Sequence, residues 1–334
     1  MSVLTVGPSG VFARIGAAID ASQDGDVVAV QAGTYVNDFA NIFHRITFQA
    51  VGGPVRMLAT IEIGNGRGIL VTWADATIDG FEFAGARVAD QNGAGIRYQS
   101  GHLIVRNSYF HNNENGLLGA ADPTGSILIQ DSEFAFNGTG DGFSHGIYIG
   151  AVAEATVERS YLHDTHVGHE LKSRALKTTV RDNHIQDNAS DTSYEVDLPQ
   201  GGIGLIERNV IQQGVNGQNT YIFAFGEENN VYASSSLLIQ DNIIVNDAPN
   251  PFGVLNGAPV TVLFRNNAVF GFGGIPIDTG FVEQVGTTVL DVRPPLYPVP
   301  EPASILLLAV AAILLAYRRY SGRSALASSA ACRI

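Results

Sequence analysis

Four short segments of the chain carry most of the side chains that could do chemistry. They are residues 144–149, 168–173, 193–198 and 220–225, which read SHGIYI, GHELKS, SYEVDL and TYIFAF. In each segment apolar and polar residues alternate with a period of two, which is typical of a strand with one buried face. We expect the buried faces to contain Ile147, Leu171, Val196 and one residue of the Ile222/Phe223 pair. The outward set is then Tyr148, Glu170, Lys172, Arg174, Glu195 and Asp197, with Tyr221 and Phe223 beside it.

The outward set has the residue types that bind or cleave a sugar polymer. Adjacent strands of a sheet lie about 4.8 Å apart, so side chains on successive segments reach one sugar unit. One hypothesis uses Lys172 as the base of a β-elimination, with Arg174 as a second catalytic residue. The substrate-binding residues are then Tyr148, His169, Tyr221 and Phe223, and the metal or substrate ligands are Glu170, Glu195 and Asp197. A slip of one residue in register would turn the whole set inward.

The charges around Lys172 oppose its role as a base. A lysine between Glu170 and Asp197 has its ammonium form stabilised, whereas a base must be neutral. Bound Ca²⁺ prefers carboxylate oxygens and would neutralise these acids, so this hypothesis includes Ca²⁺ as a cofactor. Two alternatives stay open. One is a glycoside hydrolase with two carboxyl groups about 5 to 9 Å apart, and the other is an exposed ladder of ion pairs with no catalytic role.

Three histidines recur at every third residue, at positions His163, His166 and His169, and His145 lies one repeat earlier. On a helix this spacing is typical of a metal site. The stretch has the pattern of a turn and a strand, however, so we interpret most of these histidines as solvated turn residues.

The four segments belong to a longer internal repeat. Copies of one pattern begin at residues 105, 129, 157, 180, 206, 239 and 264, with steps of 23 to 33 residues. Each copy has alternating apolar residues, then a polar residue, then a second apolar column. A repeat of about 25 residues with strand periodicity and no helical period predicts a parallel β-solenoid. A leucine-rich repeat would need an LxxLxL framework, and a propeller needs about 40 residues per blade.

A polar column separates the two apolar columns of the repeat. It consists of Ser108, Ser132, Ser160, Asn183, Asn209, Asn242 and Asn267. Asparagine tolerates the left-handed backbone conformation that a sharp turn between strands demands, so we expect this column to form the turns. Stacked on successive coils, its side chains would hydrogen-bond along the column.

The first part of the chain predicts a cap for the solenoid. An apolar face on a helix over residues 11–22 contains Val11, Phe12, Ile15, Ala18 and Ile19. Such an amphipathic helix covers the open end of a solenoid core. The helix, the GD-VV-V and AGTY patterns after it and the coils resemble the pectate-lyase-like superfamily. The resemblance implies an all-β, right-handed parallel β-helix of about ten coils over residues 1–290, a fold that hosts lyases, hydrolases, epimerases and non-catalytic adhesins.

The segment HELKSRALKTTVRDNHI, read with SYEVDLPQGG, NVIQQG and FGEE, is more loosely similar to polysaccharide lyases of the alginate lyase and chondroitinase type. These enzymes present acidic Ca²⁺ ligands ahead of a Lys-Ser pair, and the lysine takes the proton beside a uronate carboxylate. Lys172-Ser173 matches that pair, and Glu170 matches one acidic ligand. Two features depart from the family: Glu170 lies only two residues before the lysine, and Asp197-Leu198-Pro199 stands where the family has an arginine.

The charge and cysteine content exclude several classes of protein. The chain of 334 residues has 32 acidic against 19 basic side chains and a net charge of −13. It therefore has too few cations to neutralise the phosphates of a nucleic acid, and no nucleic-acid partner is expected. Cys332 is the single cysteine, which excludes a disulfide framework and a multi-cysteine zinc site. Four arginines follow the last apolar run, so the part before it carries 15 basic against 32 acidic residues.

The region after the solenoid has three parts in order. A Pro-rich linker covers residues 291–302, an apolar segment over 303–320 predicts a transmembrane helix, and a basic tail covers 321–334. Val299-Pro300-Glu301-Pro302, the apolar segment and Arg318-Arg319 resemble the PEP-CTERM sorting tail of exported bacterial proteins. The resemblance implies an exosortase-type processing enzyme as a partner, and a place in the cell envelope or extracellular matrix after anchoring in the membrane. The first residues, MSVLTVGPSG, show no signal peptide, so we expect the natural start to lie upstream.

These patterns together predict an exported, envelope-associated β-helix protein that binds a polysaccharide. The leading hypothesis adds cleavage by Ca²⁺-assisted β-elimination. The alternatives are a non-catalytic surface or matrix protein, such as an adhesin, and a glycoside hydrolase with paired carboxylates.

Overall fold

The computed structural model describes residues 1–188, 190–272 and 280–296. In these ranges the chain forms one short α-helix and thirty β-strands. The helix is α1 (Ile15–Asp20), and the first fifteen strands are β1 (Val3–Val6), β2 (Val27–Val36), β3 (Ala40–Ile42), β4 (Ile46–Leu58), β5 (Gly68–Thr72), β6 (Ala76–Asp79), β7 (Phe81–Ala84), β8 (Ala94–Tyr98), β9 (His102–Arg106), β10 (Tyr109–His111), β11 (Asn115–Gly119), β12 (Asp122–Gln130), β13 (Glu133–Ala135), β14 (Ile147–Ile149) and β15 (Val152–Glu158). The later strands are β16 (Tyr161–His163), β17 (Leu171–Ser173), β18 (Lys177–Arg181), β19 (His184–Gln186), β20 (Val196–Leu198), β21 (Ile203–Glu207), β22 (Val210–Gln213), β23 (Tyr221–Phe225), β24 (Ser236–Gln240), β25 (Ile243–Asn246), β26 (Phe252–Asn256), β27 (Val262–Arg265), β28 (Ala268–Phe270), β29 (Val282–Val285) and β30 (Thr288–Val289).

These strands wind into a parallel β-solenoid of about ten turns. A regular coil contributes three strands, as β9, β10 and β11 do. The third strands of the coils form a nine-stranded sheet in the order β3, β5, β8, β11, β14, β17, β20, β23 and β26. The other 21 strands form the second sheet, in which the first and second strands of the coils stack in two columns. The predicted all-β solenoid is thereby confirmed, while its right-handed winding stays a prediction.

The sharp turn between the first two strands of each coil uses a left-handed residue. That residue has φ between 48° and 56° in seven coils, at Asn107, Asp131, Arg159, Asp182, Arg208, Asp241 and Asn266. Each of them comes one position before the polar column. The prediction that the polar column itself takes the left-handed conformation is therefore wrong. The left-handed residue itself faces outward at this turn. The next residue, which belongs to the polar column, points into the solenoid, where the column is at most 3% exposed.

The polar column is a buried ladder of hydrogen bonds, as predicted. Asn183 Nδ2 donates to Asn209 Oδ1 at 3.1 Å, Asn209 Nδ2 to Asn242 Oδ1 at 3.0 Å, and Asn242 Nδ2 to Asn267 Oδ1 at 2.9 Å. Each of these amides also donates to a backbone carbonyl, as Asn242 does to Ile206 at 3.0 Å. Buried amides must be paired to avoid a desolvation penalty, so the ladder fixes the stacking of successive coils.

The interior of the solenoid is a continuous apolar core. Phenylalanine rings stack on one another inside the solenoid, with centroid distances of 4.0 Å for Phe48–Phe81, 5.0 Å for Phe83–Phe110 and 4.4 Å for Phe110–Phe134. Each fully buried apolar side chain stabilises the fold by about 1.5–3 kcal/mol. The strands that carry the candidate site are thus held on a rigid support.

Helix α1 is shorter than the predicted helix over residues 11–22. Ile15, Ala18 and Ile19 are buried against the first coil, as predicted, but Val11 is 81% exposed and lies outside the helix. The carboxylate of Asp38 accepts the backbone N–H of Ile15 at 2.6 Å and that of Gly16 at 3.1 Å. These contacts satisfy free donors at the start of the helix and fix the chain at this position.

Part of the predicted region beyond the solenoid lies outside the described residues. Of the Pro-rich linker the structure describes residues 291–296, and the predicted membrane span over 303–320 and basic tail over 321–334 are not among the described residues. Within residues 1–188, 190–272 and 280–296, no helix has the length and apolar character needed to cross a membrane.

Candidate functional site

The register of the nine-stranded sheet decides which side chains face outward. Ile147 pairs with Leu171, Leu171 with Val196, and Val196 with Phe223. All four point into the core, as predicted: Phe223 is 1% exposed, and its neighbour Ile222 is buried as well. The prediction that Phe223 binds substrate is therefore wrong, because its ring is covered by the core. The next residues along these strands form the outward column Tyr148, Lys172, Asp197 and Ala224.

Lys172 is the centre of a charged groove, which we define as Tyr148, Lys172, Arg174, Asp197 and Glu228. The ammonium Nζ of Lys172 lies 2.9 Å from Asp197 Oδ2 and 2.9 Å from Glu228 Oε1. Burial by itself would lower the pKa of Lys172, but the charges of Asp197 and Glu228 outweigh it and raise that pKa. Lys172 is therefore an ammonium at neutral pH.

Arg174 links the same groove to a tyrosine hydroxyl. Its Nη1 lies 2.7 Å from Glu228 Oε2, and its Nε donates to Tyr148 Oη at 2.7 Å. The guanidinium carbon also lies 5.7 Å from the centroid of the Tyr148 ring, a cation–π distance. Glu228 is thus held by one cation at each oxygen, and hydrogen bonds from Arg174 and Lys172 keep its pKa below the usual range although burial opposes this.

Two stacked histidines support Asp197 from the side. His169 Nδ1 accepts the backbone N–H of Tyr194 at 3.3 Å, and its Nε2 lies 3.2 Å from Asp197 Oδ2. This arrangement places the proton of His169 on Nε2, from which it donates to the carboxylate. His145 Nδ1 accepts the N–H of His169 at 3.1 Å, and burial holds the pKa of His145 well below its usual value. His169 therefore orients Asp197.

Asp197 and Glu227 are two carboxyl groups with opposite protonation. Burial would raise the pKa of Asp197, but the hydrogen bond from His169 and the charge of Lys172 lower it to about 2. Burial, and then the negative charge of Asp197, raises the pKa of Glu227 to about 8. Glu227 is thus a protonated acid at neutral pH that hydrogen-bonds to an ionised Asp197.

Glu170 and Glu195 lie in a separate, fully buried corner of the coil. Glu170 accepts hydrogen bonds from Thr165 N at 2.8 Å, Thr165 Oγ1 at 2.8 Å and Thr192 Oγ1 at 3.1 Å. The prediction that these acids face solvent beside Lys172 is wrong. Both precede the first inward residue of their strand, where the chain is still turning, so strand alternation does not govern their side chains.

Burial keeps this acid pair protonated. It raises the pKa of Glu170 to about 8. Burial, and then the charge of Glu170, raises the pKa of Glu195 well above the usual range. Both carboxyl oxygens of Glu195 are without a hydrogen-bond partner among the described residues. The pair is a buried element of the fold rather than a part of the groove.

The three predicted Ca²⁺ ligands do not converge. Ca²⁺ takes six to eight oxygen ligands, whereas Asp197 is engaged with Lys172 and His169 in the groove and Glu170 with two threonines in the corner. Within the described ranges, no group of three or more His, Cys, Asp or Glu side chains is arranged to hold a metal ion. These residues do not fit the ion as they stand. No step of a reaction at this site is therefore attributed to Ca²⁺, which stays a prediction.

A row of aromatic rings runs along the groove, two residues before the inward residue of each strand. Ring centroids are 4.8 Å apart for His145–His169, 5.1 Å for His169–Tyr194 and 4.7 Å for Tyr221–Phe252. Tyr194, Tyr221 and Phe252 are half-buried. Sequence reasoning found Tyr221 but missed Tyr194 and Phe252, although the same two-residue offset identifies all of them.

The groove opens into a cavity on the side of Tyr148. The cavity has a volume of about 560 Å³, and its walls include Arg97, Leu118, Phe143, Tyr148, Arg174 and Gln200. Sequence reasoning also missed Glu227 and Glu228, which follow β23 directly in the motif FGEE. The one feature of the sequence that could have identified them is that this acidic pair directly follows a strand of the outward column. An opening of this size next to paired charges is typical of a ligand site.

The comparisons with known proteins concern the sorting tail and the fold. Residues 298–319 match the PEP-CTERM protein-sorting motif. No curated protein matches the chain at a significant level. Among solved structures, an alginate lyase from a Paenibacillus species has 13% identity, covers 86% of this chain and 99% of its own, and has a TM-score of 0.49.

Two further solved structures share the solenoid at low identity. An alginate lyase of the PL6 family has 15% identity over 87% of this chain and 40% of its own, with a TM-score of 0.46. The pectin methylesterase of Aspergillus niger has 11% identity over 91% of this chain and 93% of its own, with a TM-score of 0.34. The chain is a parallel β-solenoid, and its residues 298–319 carry a PEP-CTERM protein-sorting motif, which indicates sorting to the cell surface.

Proposed function

We propose that the charged groove binds an acidic polysaccharide and cleaves it by β-elimination at a uronate unit. One observation carries this proposal: Lys172 and Arg174 hold the two oxygens of the Glu228 carboxylate at 2.9 and 2.7 Å, beside the hydroxyl of Tyr148. A cation pair that grips one carboxylate in this way fits the carboxylate of a sugar acid equally well. The site therefore has a place for the charged group of the substrate next to a group that transfers protons.

The first requirement of β-elimination is an acidic C5 proton on the sugar. Lys172 and Arg174 make this proton acidic, because two cations on the uronate carboxylate stabilise the negative charge that develops when the proton leaves. This role replaces the prediction of Lys172 as the base, since an ammonium flanked by two carboxylates has no free electron pair with which to take a proton.

The removal of this proton is assigned to Tyr148. As a phenolate, Tyr148 takes the proton from C5, the C4–O bond breaks, and a double bond forms between C4 and C5. The resulting phenol returns the same proton to the leaving oxygen, so the step is balanced without a further reactant. Arg174 donates its Nε–H to Tyr148 Oη at 2.7 Å, and this guanidinium stabilises the negative charge on that oxygen.

The shape of the groove suits a linear sugar chain. The half-buried rings of Tyr194, Tyr221 and Phe252 follow successive strands beside the groove, and aromatic rings bury the apolar faces of sugars. At the other end lies the cavity of about 560 Å³ beside Tyr148 and Arg174. A sugar polymer that lies across the strands thus meets first the aromatic rings, then the charged groove and then the cavity.

The sorting motif supports a surface role for this activity. We propose that an exosortase-type enzyme processes the tail, and that residues 303–320 anchor the chain in the membrane before processing. The protein then resides in the cell envelope or extracellular matrix, where polysaccharide is the abundant polymer. Polysaccharide, the membrane and the processing enzyme are accordingly its proposed partners.

The test is a direct assay of the purified chain. Alginate, pectate and glycosaminoglycans are incubated with it, with and without Ca²⁺, and the ultraviolet absorbance of unsaturated uronate is followed. We expect absorbance with one polymer and its loss in Lys172→Ala. No signal with any polymer, or an unchanged rate in Lys172→Ala, overturns the lyase proposal.

A glycoside hydrolase is the second candidate, and the pKa difference between Glu227 and Asp197 favours it. A protonated Glu227 with a pKa of about 8 beside an ionised Asp197 supplies one acid and one base, although their hydrogen bond holds them closer than the roughly 5 to 9 Å that separates the carboxyl groups of a glycosidase. Hydrolysis gives new reducing ends without unsaturated uronate, so a reducing-sugar assay on the same samples distinguishes it. Binding with neither product identifies a non-catalytic adhesin or matrix protein.

A further inference from the structure

Arg97 places another cation on the outward face of the nine-stranded sheet. It pairs in register with Leu118, which pairs with Tyr148 on the following coil. Two strand spacings of about 4.8 Å therefore separate Arg97 from Tyr148, or roughly 10 Å. The side chain of Arg97 is half-buried and lines the same cavity of about 560 Å³ as Tyr148 and Arg174.

Among the described residues, Arg97 has no ion-pair partner. Its Nε is buried and makes no hydrogen bond there. Three arginines on the other sheet have such a partner: Arg106 lies 3.0 Å from Asp79, Arg159 2.9 Å from Asp131, and Arg208 2.8 Å from Asp182. A half-buried guanidinium without a carboxylate is unfavourable unless a ligand supplies the anion.

The surroundings of Arg97 increase its demand for an anion. Burial, and then the positive charge of Arg67, lowers the pKa of Arg97, and the charge of Asp90 offsets this only in part. Arg67 is itself engaged elsewhere, because its guanidinium lies 5.3 Å from the centroid of the Trp73 ring and its Nη1 donates to Gln99 Oε1 at 3.4 Å. Two neighbouring cations and an open cavity, in a protein with an excess of acids, indicate a site for an anionic ligand.

We infer that Arg97 binds the carboxylate of a second uronate unit, on the same polymer whose first carboxylate lies on Lys172 and Arg174. This inference rests on the proposed function and sharpens it. A ligand that satisfies both positions has carboxylates on nearby units of one chain, so the preferred substrate is a polyuronate rather than a polymer with isolated acidic sugars. Methyl esterification removes the charge that Arg97 binds.

The experiment compares two ligand lengths by isothermal titration calorimetry on the full chain. The ligands are a uronate dimer and a uronate hexamer of the polymer that binds in the assay above, and the variant is Arg97→Gln. We expect the hexamer to bind about tenfold more weakly, which is the loss of one charge-assisted contact, while the affinity for the dimer is unchanged. The matched control is Arg265→Gln, an exposed arginine on β27, which leaves both affinities unchanged.

The outcomes separate the two proposals. Equal affinity of Arg97→Gln and the wild type for the hexamer overturns the role of Arg97 and leaves the proposed function intact. If Arg97→Gln loses as much affinity for the methyl-esterified hexamer as for the free hexamer, the role of Arg97 is also overturned, because the effect would not depend on the carboxylate. No binding of either ligand by the wild type, or unchanged dimer binding in Lys172→Ala, overturns the proposed function and the inference with it. Thermal unfolding of Arg97→Gln at the wild-type temperature establishes that any loss is not due to misfolding.

Discussion

Lys172 and Glu228 lie 56 residues apart in the chain, yet Nζ of the one and Oε1 of the other are 2.9 Å apart. Glu228 reaches this position from the turn after β23, where its backbone N–H donates to the carbonyl of Pro199 at 3.0 Å. Its side chain is 39% exposed, whereas Lys172 and Asp197 are almost covered. Glu228 therefore occupies, from the solvent side, the place that a substrate carboxylate would take.

We predict that Glu228→Gln tightens the binding of a uronate. The pKa of Glu228 is held below its usual range, so at neutral pH it is ionised and competes with the substrate for Lys172 and Arg174. Removing that charge should lower the Kd of a uronate dimer by about fivefold to tenfold, measured by isothermal titration calorimetry. Stability should change little, because partly exposed ion pairs contribute about 0–1 kcal/mol.

A control for this substitution is Glu154→Gln. Glu154 is exposed on β15 and pairs with Lys177 at 2.8 Å, away from the groove. It should leave the Kd unchanged. Weaker binding in Glu228→Gln would instead mean that Glu228 positions the two cations for the ligand, and competition would be rejected.

We predict that Tyr148→Phe separates cleavage from binding. The hydroxyl of Tyr148 is the assigned proton carrier, and loss of such a group lowers kcat by about 100-fold or more. The ring remains, as do Lys172 and Arg174, so the Kd for a uronate oligomer should stay within about threefold. Steady-state kinetics and calorimetry on the same preparation check both values. A variant that keeps its kcat would remove Tyr148 from the mechanism.

The sequence was sufficient to predict Asp197, but not Glu228, as a neighbour of Lys172. Strand alternation placed Lys172 and Asp197 on the same face, and the structure supplies the register between β17 and β20 that brings them together. Glu228 lies in a loop whose path depends on hydrogen bonds such as Tyr232 N to Gln200 O at 3.0 Å. Contacts of that kind are tertiary, and no periodic pattern encodes them.

Glu170 and Glu195 show the limit of the alternation rule itself. The rule holds from the first ordered residue of a strand, and β17 and β20 begin at Leu171 and Val196. One residue earlier the backbone direction is set by the turn, so both side chains enter the corner. The polar ladder shows the converse: its burial and stacking were predictable from the repeat, whereas the left-handed residue one position earlier varies among Asn, Asp and Arg and gave no signal.

We predict that Glu195→Gln flattens the pH dependence of stability. The pKa of Glu170 is raised from 4.5 to about 8, and that of Glu195 is also raised well above its usual range, so the folded protein retains protons that the unfolded chain releases. The stability contributed by these neutral acids is complete below about pH 4.5 and is lost as the pH rises through the folded pKa. Replacing Glu195 by a neutral amide removes one of these groups and should raise stability most at the alkaline end.

Urea unfolding at several pH values between about 5 and 8 measures this slope. Glu154→Gln again serves as the exposed control and should keep the wild-type slope. An unchanged slope in Glu195→Gln would mean that water or an ion, rather than a proton, satisfies the carboxylate in the folded state.

We predict that Asn242→Leu destabilises the solenoid regardless of its function. Asn242 Oδ1 accepts the backbone N–H of Asn209 at 2.9 Å, and its Nδ2 donates to Ile206 O at 3.0 Å. A leucine of similar size leaves both buried groups unpaired, which costs about 1–3 kcal/mol for each. Denaturant unfolding should therefore show a clearly lower midpoint, and exposed Asn229→Leu should not. A wild-type midpoint in Asn242→Leu would show that stacking of the apolar columns, rather than the amide ladder, holds adjacent coils in register.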